Sequence, residues 1–231
     1  MPLLAFDTAQ GALSVAVFDG DRVLAHHHEL RSRGHAEELM GVIGQVLRSA
    51  GLAASDLSAL AVTIGPGTFT GLRVGLAAAR GLALARTLPL VGVTTLEAVA
   101  APVVPGEDEL IAVAFDARRS EIYLQAFDAR HMPVCEPAII GLDTASDMLP
   151  TGRFVLAGTG AALLADALEA RGIFSRLSEC PAQPDAREIG RIALARLHAH
   201  GLDHFRKAPT PLYLRAPDAK LPGGLDPVLG A

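Results

Sequence analysis

The motif Gly65-Pro66-Gly67 stands between an apolar segment and a segment with helical spacing, which is where a phosphate-binding loop would lie. A Walker-type loop needs a lysine and then a serine or threonine directly after its glycines. Here Thr68 and Phe69 follow Gly67, no lysine occurs from residue 63 to residue 101, and the spacing does not fit G-x-G-x-x-G. The motif therefore predicts a tight turn with Thr68 as the helix N-cap, and direct contact with a ligand is the alternative.

A short repeat places one carboxylate at the end of each of two predicted strands. Ala5-Phe6-Asp7 recurs as Ala114-Phe115-Asp116, 109 residues later, and each copy opens a strand-turn-strand pattern. The repeat predicts two similar α/β lobes. Such paired lobes suggest the actin-like, Hsp70-like and sugar-kinase-like ATPase architecture, which is ribonuclease H-like.

In that architecture the residues after the first strand of each lobe face nucleotide phosphates and a metal ion between the lobes. Asp7, Thr8 and Asp116 are therefore candidates for weak binding of ATP or ADP. The alternative is that each aspartate caps the end of its strand and starts a turn.

Hydrophobic spacing divides the chain into strands and helices. Strands are expected at residues 3–9, 12–20, 22–30, 57–64, 89–93, 109–116, 120–128, 133–140 and 153–160. Helices are expected at 33–51, 69–88, 95–103, 162–172 and 186–201. Pro102, Pro105 and Gly106 indicate a boundary, so we expect one lobe over residues 1–104, a second over 105–215 and a Pro/Gly-rich tail over 216–231.

Composition limits the classes of protein that fit. Half of the 231 residues are hydrophobic, 19% are charged and the net charge is -5, which is typical of a folded globular protein. No Lys/Arg cluster is present, so strong binding of nucleic acid by the chain alone is not expected. The sequence has no visible signal peptide or membrane segment and only two cysteines, which predicts a cytoplasmic protein with reduced thiols.

Three consecutive histidines, His26-His27-His28, fall on a predicted strand. Because alternate side chains of a strand face opposite sides, only His26 and His28 could share a metal ion. The sequence places no cysteine or acidic set next to them, so we expect structural histidines and no metal site.

Three segments closely resemble the TsaB family, the bacterial partner subunits in the synthesis of threonylcarbamoyladenosine on tRNA. They are residues 61–100, "FDARRSEIY" from Phe115 to Tyr123, and "PLYLRAPDAKLPG" from Pro211 to Gly223. The related catalytic family, TsaD, shares the Gly-Pro-Gly loop and carries a His-x-x-x-His metal-binding pair on the next short helix. The corresponding positions here are Thr95 and Val99, so the resemblance implies a non-catalytic subunit that binds and activates a TsaD-like enzyme.

The predicted second helix carries small residues at Gly71, Gly75 and Ala78, a spacing that lets another helix approach closely. In the resembling family the first two helices pair with their equivalents in TsaD. The resemblance implies an interface formed by these residues: His35, Leu39, Ile43, Val46, Leu47, Gly71, Leu72, Gly75, Leu76 and Ala79. Packing of this helix within its own lobe is the alternative.

Further partners follow from the same interpretation. We expect a homodimer when the chain is alone, because an uncovered apolar face would pair with itself, and a TsaE-like ATPase is a candidate third subunit. The enzyme alternative is an ATP-dependent phosphotransferase of the same two-lobe fold, using Asp7 and Asp116 around magnesium-nucleotide. A metalloprotease is the weakest alternative, since it needs the missing metal-binding pair.

Overall fold

The first lobe is built on a five-stranded mixed sheet. The structure, a computed structural model, describes residues 1–31 and 34–215. The strands follow the order β3-β2-β1-β4-β5, with β1, β2 and β3 antiparallel and β4 and β5 parallel to β1. The elements are β1 (Pro2–Asp7), β2 (Ala12–Asp19), β3 (Arg22–Leu30), α1 (His35–Ser49), β4 (Ala59–Gly65), α2 (Phe69–Arg86), β5 (Leu90–Thr94) and α3 (Thr95–Ala100).

The second lobe repeats this topology. Its sheet has the order β10-β9-β6-β7-β8, so that β6 takes the place of β1, with β7 antiparallel and β9 parallel to it. The predicted repeat and the two-lobe architecture are thereby confirmed. The elements are β6 (Glu109–Asp116), β7 (Glu121–Phe127), β8 (Ala138–Gly141), α4 (Ala145–Met148), β9 (Arg153–Ala157), α5 (Ala161–Glu169), β10 (Ser175–Leu177) and α6 (Ala186–His200).

One helix from each half of the chain packs on the sheet of the other half. The last helix, α6, packs its apolar side, including Ile189 and Leu197, on the face of the first sheet that carries Leu3 and Phe18. Conversely, α3 follows β5 but buries Leu96 among the residues of the second sheet. The helix α6 falls within the predicted second lobe at 105–215, yet it packs on the apolar face of the first sheet; the lobe bounds themselves stay a prediction.

Several element bounds differ from the prediction. The helix α2 ends at Arg86, and Thr87 adopts a left-handed conformation with φ 53°, so the helix stops before Pro89. The expected strand at 133–140 is observed only as the short β8, while the short α4 and β10 were not predicted. The predicted tail at 216–231 lies outside the described residues. In the described ranges, no helix combines the length and apolarity needed to cross a membrane.

Candidate functional site

The Gly-Pro-Gly loop lies directly over the end of β1. A Cβ at Gly67 would lie 2.4 Å from the carbonyl oxygen of Ala9, and a Cβ at Gly71 would lie 2.1 Å from that of Thr8. The backbone N–H of Thr68 donates to Ala9 O at 2.8 Å, and the Thr68 side chain accepts from the N–H of Gly71 at 3.2 Å. The predicted tight turn and N-cap are confirmed, and glycine is required because another backbone occupies the space of a side chain.

The small residues of α2 leave room for Thr8, the residue that follows β1. The Thr8 hydroxyl donates to Gly71 O at 2.7 Å, and a Cβ at Gly75 would lie 2.7 Å from Thr8 Oγ1. The close approach that the spacing predicts is thus real, but in this structure its partner is the end of β1 in the same lobe.

Asp7, at the carboxyl end of β1, is sealed from solvent. Its Oδ1 accepts hydrogen bonds from the Thr63 hydroxyl and from the N–H of Ala9, and its Oδ2 has no hydrogen-bond partner among the described residues. Burial raises the pKa of this carboxyl to about 6, against the opposing effect of the hydrogen bonds. A buried carboxyl without an adjacent cation costs free energy when it is ionised.

Asp116, the repeat partner of Asp7, is exposed. Its Oδ1 accepts from the N–H of Arg118 at 2.7 Å, and its own N–H donates to Thr159 Oγ1 at 3.3 Å. Gly160, after Thr159, leaves no room for a Cβ, which would lie 3.0 Å from the nitrogen of Asp116. This second glycine-bearing loop, Gly158 to Gly160, was not predicted from the sequence; its signal is its place after a strand, which matches that of Gly65 to Gly67.

A cleft of about 420 Å³ opens between the two lobes beside Asp116. It brings Asp116 together with the Gly-Pro-Gly loop and α2, whereas Asp7 and Thr8 are not among its lining residues. The residues that line it are Gln10, Pro66, Gly67, Thr68, Phe69, Leu72, Asp116, Ala117, Arg118, Tyr123, Leu212, Tyr213, Leu214 and Arg215.

The segment before the undescribed tail closes one side of this cleft. The N–H of Leu212 donates to Ile64 O at 2.7 Å, the ring of Tyr213 lies 5.6 Å from that of Phe69, and Arg215 forms an ion pair with Glu121. These contacts were not predicted, because they join residues far apart in the sequence. Two arginines and several aromatic rings suit a planar or anionic ligand, and the described lining contains no histidine, cysteine or lysine.

The two positions that correspond to the TsaD histidines are buried. The Thr95 hydroxyl donates to Pro66 O at 2.5 Å, and Val99 packs in the apolar cluster of α3 and the second sheet. The Thr95 hydroxyl is therefore used in a hydrogen bond to the Gly-Pro-Gly loop, and Val99 is part of the core.

The residues predicted to form a partner interface are mostly core residues of the first lobe. Of the ten, only His35 retains partial exposure, and its Nε2 lies 3.2 Å from Ala12 O. The other nine are buried, which places them on the inner side of α1 and α2 in this structure: Leu39, Ile43, Val46, Leu47, Gly71, Leu72, Gly75, Leu76 and Ala79.

The expectation that no acidic residue accompanies the histidines is wrong. His26 and His28 face Asp185, the N-cap of α6, with His26 Nε2 at 3.0 Å from Oδ1 and His28 Nδ1 at 3.9 Å from Oδ2. Burial alone would raise the pKa of Asp185, but the contacts with His26 and Arg187 outweigh it and hold that pKa below its usual value.

Two similar lobes, each with a glycine-bearing loop against the end of its first strand and with a cleft between them, are the features of the actin-like ATPase folds. Residues 27–222 match the family model described as TsaD, tRNA N6-adenosine threonylcarbamoyltransferase. A protein from Escherichia coli (strain K12), "tRNA threonylcarbamoyladenosine biosynthesis protein TsaB", is 33% identical over 96% of this chain and 99% of its own length. The chain belongs to the TsaB family.

Solved structures agree with this assignment. A Pseudomonas aeruginosa protein described as similar to peptidase YeaZ superposes with a TM-score of 0.78 at 28% identity, covering 93% of this chain and 99% of the other. The (R)-2-hydroxyglutaryl-CoA dehydratase component A from Acidaminococcus fermentans shares the fold with a TM-score of 0.53 at 10% identity, covering 86% of this chain and 99% of the other.

Proposed function

We propose that this chain is a non-catalytic subunit that binds and activates a TsaD-like enzyme, which transfers threonylcarbamoyl to an adenosine of tRNA next to the anticodon. Membership of the TsaB family supports a role in this pathway, since the Escherichia coli relative is named as a biosynthesis protein of threonylcarbamoyladenosine. The match to the TsaD family model over residues 27–222 supports a partner of related fold.

The proposal that the chain is non-catalytic rests on the surroundings of Thr95 and Val99. A metal-binding pair needs two ligand atoms that face a common open space. The Thr95 hydroxyl is instead bonded to Pro66 O, and Val99 offers only a buried hydrocarbon side chain. Neither position can supply the ligand that the resembling catalytic family uses there.

The phosphotransferase alternative is less well supported by the surroundings of Asp7. A carboxylate that holds magnesium-nucleotide must reach the cleft. Asp7 is fully buried and absent from the cleft lining, whereas its repeat partner Asp116 lines the cleft. Weak binding of ATP or ADP, for which Asp7, Thr8 and Asp116 are the candidates, stays a proposal; of the three only Asp116 lines the cleft, and titration of the isolated chain with magnesium-ATP tests the binding. Tight binding that is lost in Asp7→Ala would favour the phosphotransferase.

The partner surface we propose is the outward side of α1 and α2. A Cβ at Gly41 on α1 or at Gly81 on α2 would meet no atom within 4 Å, so both glycines face open space. Met40 is 51% exposed beside Gly41, and Leu84 is 85% exposed one turn beyond Gly81. Small residues flanked by exposed apolar ones let a partner helix approach closely and bury hydrocarbon surface.

The experiment uses the chain and the TsaD-like enzyme of the same organism. We expect co-elution in gel filtration and faster tRNA modification when the chain is added. Gly81→Leu should weaken the complex by about 5-fold to 150-fold, since overpacking of a close contact costs about 1–3 kcal/mol, while the open space around Gly81 leaves the fold intact. The matched control is Ala162→Leu at an exposed position of α5, which should bind as the unmodified chain does.

Separate elution together with unchanged enzyme activity would contradict the proposal. Gly41→Leu tests the same surface from α1, and circular dichroism of each variant checks the fold. The proposal extends to two further partners: a second copy of the chain when the enzyme is absent, and a TsaE-like ATPase in the complete assembly. Light scattering of the isolated chain, repeated with Gly81→Leu, tests the homodimer through the same surface.

A further inference from the structure

Three side chains with metal-ligating atoms meet where α6 begins against the edge of the first sheet. They are His26 and His28 of β3 and Asp185, and one ligand atom from each lies within 4.8 Å of the others. The histidines are two residues apart on one face of the strand, and the Asp185 side chain is mostly buried. The cluster is remote in sequence from the cleft and shares none of its lining residues.

The strand pairing explains why the cluster forms. In the β2–β3 ladder Ala16 pairs with His26 and Ser14 pairs with His28. The N–H of Ala186 donates to Ser14 Oγ at 2.9 Å, which fixes the start of α6 against β2. As the N-cap, Asp185 is thereby held beside the two imidazoles, and its small neighbours on β2 leave room for the rings.

The ring nitrogens that face Asp185 lack hydrogen bonds. His26 Nε2 and His28 Nδ1 are both buried; His26 Nε2 lies 3.0 Å from Asp185 Oδ1, in ion-pair range but not aligned for a hydrogen bond, and His28 Nδ1 is 3.9 Å from Oδ2 with no hydrogen-bond partner among the described residues. Buried polar nitrogens are normally satisfied, so His28 Nδ1 has room for a further partner beside the carboxylate that His26 already contacts. A cation between them would satisfy both nitrogens and a carboxylate oxygen at once.

We propose that His26, His28 and Asp185 bind a zinc-type divalent cation, with water completing the coordination. Two imidazole nitrogens and one carboxylate oxygen are a donor set that suits zinc and disfavours magnesium or calcium, which take oxygen ligands. Zinc bonds of about 2.0–2.1 Å in a tetrahedron need ligand atoms about 3.3 Å apart. His26 Nε2 lies 3.0 Å from Asp185 Oδ1 and His28 Nδ1 lies 3.9 Å from Oδ2, and one ligand atom from each residue lies within 4.8 Å of the others, so binding requires the side chains to move closer together.

Arg187 supplies the outer contact of this site. Its Nη2 donates to Asp185 Oδ2 at 2.7 Å and its backbone N–H donates to Oδ1 at 2.8 Å. Such contacts orient a ligating carboxylate, although the guanidinium charge also lowers the affinity for a cation. The bound ion would join β3 to α6 and so fasten the last helix to the first sheet. This role is structural and independent of the proposed partner.

The test is zinc binding by the isolated, tag-free chain after removal of metal by a chelator. We expect a single equivalent of zinc in competition with a chromogenic chelator, and a rise of several degrees in the thermal unfolding midpoint. His26→Gln and His28→Gln should each weaken binding at least about tenfold, because losing a ligand costs more than losing an outer contact. His27→Gln is the matched control, since His27 lies on the opposite face, 3.5 Å from Glu29.

Asp185→Asn removes the charged ligand but should preserve the fold, because asparagine caps a helix as well as aspartate does. It should lose zinc binding while circular dichroism stays unchanged. Zinc affinity that is unchanged in Asp185→Asn and His26→Gln would overturn the proposal. An equal loss in His27→Gln would also overturn it, since that result means unspecific binding by surface histidines.

Discussion

The hydroxyl of Thr63 donates a hydrogen bond to the carboxyl of Asp7, and both groups are buried where β1 and β4 run side by side. A threonine can donate to either protonation state of the carboxyl, and it is neutral. This contact therefore brings no positive charge to the ionised carboxylate. Burial outweighs the hydrogen bonds, and the pKa of Asp7 rises to about 6.

Asp7→Asn is expected to change how stability depends on pH. With a pKa of about 6 when folded and 3.8 as the reference value, Asp7 keeps a proton in the folded chain that the unfolded chain releases between these values. The unmodified protein thus loses stability as the pH rises through this window, and the asparagine variant does not. Urea unfolding should show the variant gaining about 2 kcal/mol relative to the unmodified chain between about pH 4.5 and about pH 7.5.

The matched variant for this measurement is Asp116→Asn, which changes the repeat partner of Asp7 in the open cleft. Because Asp116 is exposed, this substitution buries no group and should change the free energy of unfolding little. Parallel profiles for Asp7→Asn and the unmodified chain would mean that the Asp7 carboxyl does not titrate in this range.

Gly190→Ala should loosen α6 from the first sheet. A Cβ at position 190 would lie 2.1 Å from Phe18 Cε2, and Phe18 is fully buried. Overpacking of this kind costs about 1–3 kcal/mol, more than the helix propensity gained from alanine. The control Gly81→Ala meets open space and should be neutral or slightly stabilising. Chemical unfolding of both variants checks this, and equal stability of the two would contradict the packing.

Thr68→Ala should cost about 1 kcal/mol of stability through loss of the N-cap of α2, and Thr68→Ser should retain most of it. The Thr68 side chain accepts from the N–H of Gly71, and serine can do the same. Thermal unfolding of the pair measures the difference. If serine costs as much as alanine, the threonine methyl group matters and the cap does not.

Arg196→Lys should destabilise the joint between the lobes by about 1–2 kcal/mol. Arg196 on α6 donates to Gly92 O at 2.6 Å and also pairs with Glu97 on α3, a double contact that needs the forked guanidinium. The control Arg191→Lys changes an exposed arginine whose one ion pair within residues 1–31 and 34–215 is with Glu188, and it should stay within about 0.5 kcal/mol. Urea unfolding distinguishes them, and similar losses would argue against a special role for the double contact.

The sequence was sufficient for features that repeat or recur locally. The repeat at Asp7 and Asp116 predicted two lobes of one topology, and the spacing after Gly67 predicted the capped turn and α2. Periodicity also showed that α6 has an apolar side, but a helical pattern does not state which sheet that side covers. The small residues of α2 likewise predicted that another segment packs closely against this helix. Only the structure shows that this segment contains Thr8.

The sites were harder to predict because their residues come together only through the fold. Asp185 is far from His26 and His28 in the chain, and no local spacing indicates that an N-cap will face a strand in the other half. The cleft similarly depends on the segment that places Tyr213 beside Phe69 of the first lobe and Arg215 beside Glu121 of the second. Burial of the two aspartates differs for the same reason, since the loop over each strand end contributes different neighbours.

The crossed placement of α3 and α6 has a consequence for synthesis of the chain on the ribosome. When the first sheet has emerged, the face that carries Leu3 and Phe18 has no cover, because α6 ends only at His200. The apolar face of that nascent sheet stays exposed until almost the whole chain has been translated. Exposed apolar surface of this kind is prone to aggregation. Synthesis of the C-terminal helix is therefore the step that covers this face of the first sheet.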